Sequence, residues 1–286
     1  MLLNILHRTT YRYAQTASDS FNEVRLQPIN QTGQQRLSFS LTSNPIAQQH
    51  SYYDLYKNCV HVVQLGSTHQ RLCIEAQSQV ETSPLPLPGP CDPALLQDPM
   101  LAFELHDFLM DTQYVQLSPE LWRCAVDCLP NGLTDIWTDA TTLSNWVYDS
   151  FQYVPGATTA HTTVNETLHD RRGVCQDFAH VLLGLCRSMK LPARYVSGYF
   201  FNDQYEETEG SSEASHAWVE VYLPGQGWCG IDPTHRRPAD ERYVSVAVGR
   251  DYSDIPPVSG AYRGVREREM DVYVRITQTT TNETAI

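Results

Sequence analysis

Several features are scarce in this chain of 286 residues, and each scarcity removes a class of protein. No run approaches the roughly 18 apolar residues of a membrane-crossing helix, so no helical span is expected. Positive charge is short: 20 Lys and Arg stand against 33 Asp and Glu, for a formal net charge of −13. An acidic surface argues against nucleic acid and anionic membrane as partners, because basic patches hold both. HExxH and paired CxxC spacings are missing, which leaves a zinc protease helix or a zinc ribbon without its ligands. The opening residues MLLNILHRTTYRY lack an unbroken apolar stretch, since Asn4, His7 and Arg8 interrupt it. They do not read as a secretory leader, and a cytoplasmic location is expected.

Eight cysteines are present, but in a chain of this size and spacing they read as reduced, mostly buried thiols rather than a disulfide framework. Cys175 and Cys186 illustrate this: on one predicted helix they lie about 16 Å apart, too far to bridge.

Hydrophobic residues at 41% and charged residues at 19% can build a substantial globular core, and 17 prolines imply many loops. Residues 1–82 read as a β domain. YRYAQ, EVRLQPI, RLSFSLTSNP, CVHVVQLG and RLCIEAQSQV alternate polar and apolar residues between Gly, Asn, Ser and Pro, which predicts an antiparallel sandwich or barrel. His7, His50, His61 and His69 are scattered along it and read as structural or surface histidines. Residues 83–92, containing SPLPLPGP, form a stiff proline-rich linker, and the core domain is expected over 93–286.

Helices come first in that core. Ser118-Pro119-Glu120 predicts an N-cap and first turn of a helix through Leu129. Asp139 could cap a second helix, to about Phe151. A third starts near Gly173, where Val174, Phe178, Val181, Leu182, Leu185 and Met189 make one apolar face and Pro192 ends it. ARYVSGYF, SHAWVEVYL, GWCGID, YVSVAVG and MDVYVRITQ then read as strands. Helices followed by antiparallel strands make the fold class α+β.

Cys175 falls at the start of the third helix, His216 on a strand and Asp232 on the strand after it. The free N–H groups and positive dipole end of a first helical turn favour a thiolate, which is the attacking form of a cysteine. An imidazole can take the thiol proton, and a carboxylate on its far nitrogen fixes the tautomer. Each residue also has an ordinary structural reading: a buried helix cysteine, a strand histidine, a turn aspartate before Pro233. In SHAWVEVYL, His216, Trp218, Glu220 and Tyr222 share one face, while Ala217, Val219, Val221 and Leu223 share the core face. If the hairpin is symmetric about Pro224-Gly225-Gln226-Gly227, Asp232 faces Val219 and His216 faces His235. Asp232 and His216 would then point to opposite sides, so their meeting requires a bulge or a shifted turn, and His235 competes for the role of base. A metal site from His161, His169, Asp170 and His180 is a weaker alternative, because their spacing matches no common ligand motif.

The run from Arg171 to Phe200, with SHAWVEVYLPGQGWCGIDPTH and VAVGRDYSDIPPVSGAYRG, resembles the bacterial transglutaminase-like proteins. The N-terminal β region is similar to the domain that precedes their core. The resemblance implies a papain-like core with Cys175 as nucleophile, His216 as base and Asp232 as orienting acid. The backbone N–H of Cys175 is one expected oxyanion donor; Tyr153 and then Trp146 are candidates for the second. The implied activity is attack on an amide or peptide bond through a thioester, with hydrolysis favoured over amine transfer. The expected substrate is a protein or peptide amide, and no metal or organic cofactor is required. A protein-glutamine transglutaminase and a non-catalytic binding or scaffold protein are the alternatives.

Overall fold

The computed structural model describes residues 1–202 and 215–279; the acidic run DQYEETEGSSE falls outside them. Five strands come first: β1 (Leu2–Val24), β2 (Gln34–Asn44), β3 (Gln48–Tyr53), β4 (Cys59–Leu65) and β5 (His69–Thr82). They lie in the order β2-β5-β1-β4-β3, with every neighbour antiparallel. Strand alternation organises β1: Leu3, Ile5, His7, Thr9, Tyr11 and Tyr13 are all buried on its inward row. The sequence breaks this single long strand into separate signals, and β3 carries none of its own because all six of its residues are exposed.

Residues 83–92 hold neither helix nor strand. Beyond them come α1 (Pro99–Glu104), α2 (Pro119–Cys128) and α3 (Ile136–Ser150). Ser118 caps α2 as expected, its hydroxyl accepting from the Leu121 N–H. The start of α3 differs from expectation: Asp135 is the cap, accepting from Thr138 N–H at 2.9 Å. Asp139 is buried in the first turn and accepts from the N–H groups of Thr134 and Asp135. Two aspartates four apart offer the same signal, and only the turn geometry separates them.

The two-residue strand β6 (Gln152–Tyr153) precedes α4 (Val164–Asp170) and pairs in parallel with β7 (Arg172–Gly173). A reciprocal Thr163–Glu166 capping box starts α4, a signal the sequence reading passed over. α5 (Cys175–Ser188) follows directly.

The second sheet contains β8 (Ala193–Phe200), β9 (Ser215–Leu223), β10 (Gly227–Asp232), β11 (Arg237–Pro238) and β12 (Tyr243–Gly249), ordered β11-β10-β9-β8-β12. Ala217, Val219, Val221 and Leu223 join Phe178, Val181, Leu182 and Leu185 of α5 in one apolar core. On the other face, Trp218 packs with Val196, Tyr243 and Val248. Gly198 makes room for that indole: a Cβ there would lie 2.6 Å from the Trp218 ring and 2.1 Å from the Val244 carbonyl oxygen.

β13 (Val258–Arg263) and β14 (Arg268–Gln278) then leave this core and return to the first sheet. The first half of β1 lies between β5 and β14, and its last residues lie between β4 and β13. Two strands of the expected 93–286 core thus pair with the first sheet, because alternation identifies a strand without identifying its partner. Leu3, Ile5, Val80 and Val274 of the first sheet pack with Tyr199, Val244 and Val246 of the second.

Candidate active site

Cys175 is half-buried at the first position of α5, and the turn presenting it is tightly held. Asp177 folds back so that its Oδ2 accepts from the Val174 N–H at 2.8 Å and the Thr158 hydroxyl at 2.6 Å. Its side chain lies over Gly173, where a Cβ would sit 2.6 Å from Oδ2. Glycine is thus required by close approach. Burial pushes the Asp177 carboxyl pKa upward against these hydrogen bonds.

The parity difficulty in the β9–β10 hairpin has a simple resolution. Gly227 pairs with Leu223 and Ile231 with Val219, so the connection is the three residues Pro224–Gln226. Extending that register puts Asp232 opposite Trp218, on the same face as His216. Gly225 and Gly227 both take positive φ, +80° and +86°, which lets the odd-length turn close.

His216 Nε2 lies 2.7 Å from Asp232 Oδ2, and both side chains are buried. Burial opposes charge on the imidazole, but the Asp232 carboxylate, helped by the neighbouring Cys175, outweighs it and pushes His216 up to about 10. With Nε2 occupied by Asp232, Nδ1 is the nitrogen left for the thiol. Burial would raise the Asp232 pKa, yet the charge of His216 and hydrogen bonds from His216 and His235 hold it far below the ordinary carboxylate range.

Sequence reasoning did not see how heavily Asp232 is supported. Tyr243 donates its hydroxyl to Oδ2 at 2.8 Å, His235 Nδ1 meets the same oxygen at 2.7 Å, and the Thr234 and His235 N–H groups reach Oδ1. Burial first, and then the carboxylate's charge, push the Tyr243 hydroxyl far above its usual pKa, so it remains a donor. His235, the rival base in the sequence, sits beyond the carboxylate, its ring 5.0 Å from that of His216.

Cys175 and His216 open on a cavity of about 370 Å³. Tyr153 lines it, with its ring edge-on to Phe178. Trp146 does not: its ring packs beneath the Arg171 guanidinium and edge-on to Phe151. Of the two oxyanion candidates, the cavity therefore holds Tyr153 and not Trp146. His7 and Thr9 of β1 also line the cavity, although the sequence reading assigned His7 a structural place.

Two histidines of the weaker metal reading are occupied elsewhere. His161 Nδ1 lies 2.9 Å from the Tyr114 hydroxyl, and His180 Nε2 accepts the Tyr252 N–H. Among the described residues, the ligand atoms that converge are those of His216, Asp232 and His235, within 4.8 Å of one another. His216 Nε2 and His235 Nδ1 are both engaged by Asp232 Oδ2.

Residues 3–81 match the bacterial transglutaminase-like N-terminal region, and residues 127–233 match the core of the transglutaminase-like superfamily. An uncharacterized protein from Mycobacterium leprae is 32% identical over 278 residues, covering 96% of this chain and 98% of its own length. This chain belongs to the transglutaminase-like superfamily. Membership supports cysteine-based acyl chemistry on a protein substrate. A candidate cysteine protease from Cytophaga hutchinsonii has the same fold, with a TM-score of 0.79 over 99% of this chain and 92% of its own at 22% identity. Over 136 residues, 44% of this chain, it is 29% identical to a Pseudomonas aeruginosa protein-glutamine gamma-glutamyltransferase, 20% of whose length is matched.

Proposed function

We propose that this transglutaminase-like protein cleaves amide or peptide bonds through a thioester on Cys175, with water as the usual acceptor. The observation that carries the reading is the placement of His216 2.7 Å from Asp232 and, with Cys175, on the wall of one cavity. His216 takes the thiol proton, and the thiolate sulfur bonds to the carbonyl carbon. The resulting oxyanion is held by the Cys175 backbone N–H at the helix start, with Tyr153 as the nearby candidate for a second donor. The C–N bond then breaks, and His216 returns its proton to the departing amine. Water attacks the thioester carbonyl, gives its proton to His216 and displaces the thiolate, which is reprotonated.

An amine in the place of that water would form a new amide instead. The match to the Pseudomonas glutamyltransferase favours testing this route. Assay of an amide substrate with and without added primary amine separates the two: free acid in both conditions supports hydrolysis, and an amine adduct supports transfer. Cys175→Ser should stay folded and lose activity by on the order of 10³-fold or more, because a hydroxyl is far harder to deprotonate than a thiol. Undiminished turnover in that variant would end the cysteine reading. Iodoacetamide addresses the non-catalytic alternative, since an activated Cys175 labels much faster than the other seven thiols.

A further inference from the structure

Asp232 is shared between two histidines, and the turn that follows it explains how. The Thr234 N–H at 2.7 Å and the His235 N–H at 3.3 Å both reach Oδ1, which folds the chain back on the aspartate. The His235 ring then returns to the same carboxylate, with Nδ1 2.7 Å from Oδ2. His216 Nε2 and the Tyr243 hydroxyl meet that oxygen at 2.7 and 2.8 Å. Phe200 lies against all three partners, its ring 4.6 Å from that of His235, 4.7 Å from Tyr243 and 5.8 Å from His216.

The Asp232 carboxyl is held far below the ordinary range against the pull of burial, so it stays ionised and can only accept. Each partner is therefore a donor, and three donors converge on one oxygen that offers about two lone pairs. They compete for the same charge. His216 is buried and lines the cavity beside Cys175; His235 does neither, with a side chain 36% exposed and no place among the cavity-lining residues. It reaches the chemistry only through Asp232. The neighbouring charges are matched among themselves: Arg237 and Arg242 both meet Asp240, and Arg236 meets Asp149. Beside Cys175, Asp177 is turned toward Val174 and Thr158, and burial keeps His7 uncharged and the Tyr195 hydroxyl protonated.

We propose that His235 is a positioning residue for the base: by donating to the oxygen that holds His216, it divides the Asp232 charge and limits how firmly His216 keeps its proton. A base that binds its proton too tightly cannot hand it on to the departing amine, since transfer works best when the strength of the acid suits the working pH. Against burial, the Asp232 charge already pushes His216 up to about 10, so an undivided carboxylate would hold the proton still harder. This rests on the cysteine-acyl reading above.

The test follows iodoacetamide labelling of Cys175 in the full chain by mass spectrometry, from about pH 4 to about pH 9, and reads the pH at which the rate is half its plateau. His235→Phe keeps a ring on Phe200 and loses the ring N–H. Its midpoint should fall by roughly half to one pH unit, because a less divided carboxylate steadies the imidazolium and, through it, the thiolate. His235→Asn keeps an N–H within reach of Oδ2 and should restore the wild-type midpoint. Tyr243→Phe removes a different donor from the same oxygen, and should move the midpoint in the same direction as His235→Phe. A purely structural role for His235 would lower the rate at every pH and leave the midpoint in place. That result, a midpoint that rises in His235→Phe, or a shift in His235→Asn as large as in His235→Phe would each overturn the proposal. If His235→Phe does not fold, an unmoved or raised midpoint in Tyr243→Phe overturns it alone. Wild-type Cys175 that labels no faster than the other thiols would instead remove the cysteine reading, and this inference with it.

Discussion

A single buried carboxylate organises the chemistry at the residue scale. Asp232 receives the rings of His216 and His235 and the hydroxyl of Tyr243 on one oxygen, and two backbone N–H groups on the other. Such a group works as a fixed negative charge, and its linkage to pH has a definite sign. The His216 pKa is raised in the folded state, so its contribution to stability is complete below its unfolded value near 6.5 and is lost as pH rises toward about 10. The Asp232 pKa is depressed, so its contribution is present above the ordinary carboxylate range and is lost as pH falls below it. Asp232→Asn removes the charge that couples the two. The thermal stability of wild type should therefore exceed that of Asp232→Asn most at about pH 5, and the gap should narrow by about pH 9. An equal gap at both values would mean that hydrogen bonding, not charge, is what Asp232 supplies.

At the element scale, much of the site was legible because periodicity reports faces. The spacing of Phe178, Val181, Leu182 and Leu185 marked α5 with Cys175 at its start, and the alternation in SHAWVEVYL separated His216 from the core row. Alternation cannot report register, however, and one residue of turn length decides whether Asp232 shares a face with His216. A symmetric four-residue turn forbids their meeting, whereas the three-residue connection permits it. The support beneath Cys175 was equally hidden, since nothing in GVCQD shows that Asp177 turns back to cap Val174. Asp177→Ala removes that cap and the Thr158 contact, and should cost about 1–2 kcal/mol of stability. It should also slow iodoacetamide labelling of Cys175, because the turn presenting the thiol loosens. Labelling at the wild-type rate in a destabilised variant would show that the helix start is held by packing alone.

For the whole molecule, the sequence suggested two units in succession, and the N-terminal family match ends near the expected boundary. The chain then departs from that order by sending its last strands back to β1. Long-range pairing of this kind leaves no local trace: MDVYVRITQ alternates the same way whichever sheet it joins. The consequence is mechanical as well as topological. β14 runs antiparallel to β1 from Leu3 to Tyr13, and Leu3, Ile5 and Val274 pack on Tyr199, Val244 and Val246 of the second sheet. Each sheet is thus closed partly by the other's connections, and the full chain should unfold in one thermal transition rather than two. Truncation before Val258 would strip β13 and β14 from both halves of β1, uncovering a long strand edge and the apolar row behind it. That variant should lose protection of β1 amides in hydrogen exchange and aggregate, even though Cys175, His216 and Asp232 are all retained. If the truncated chain stays monomeric with β1 still protected, the C-terminal strands are accessories to the first sheet and the two units fold independently.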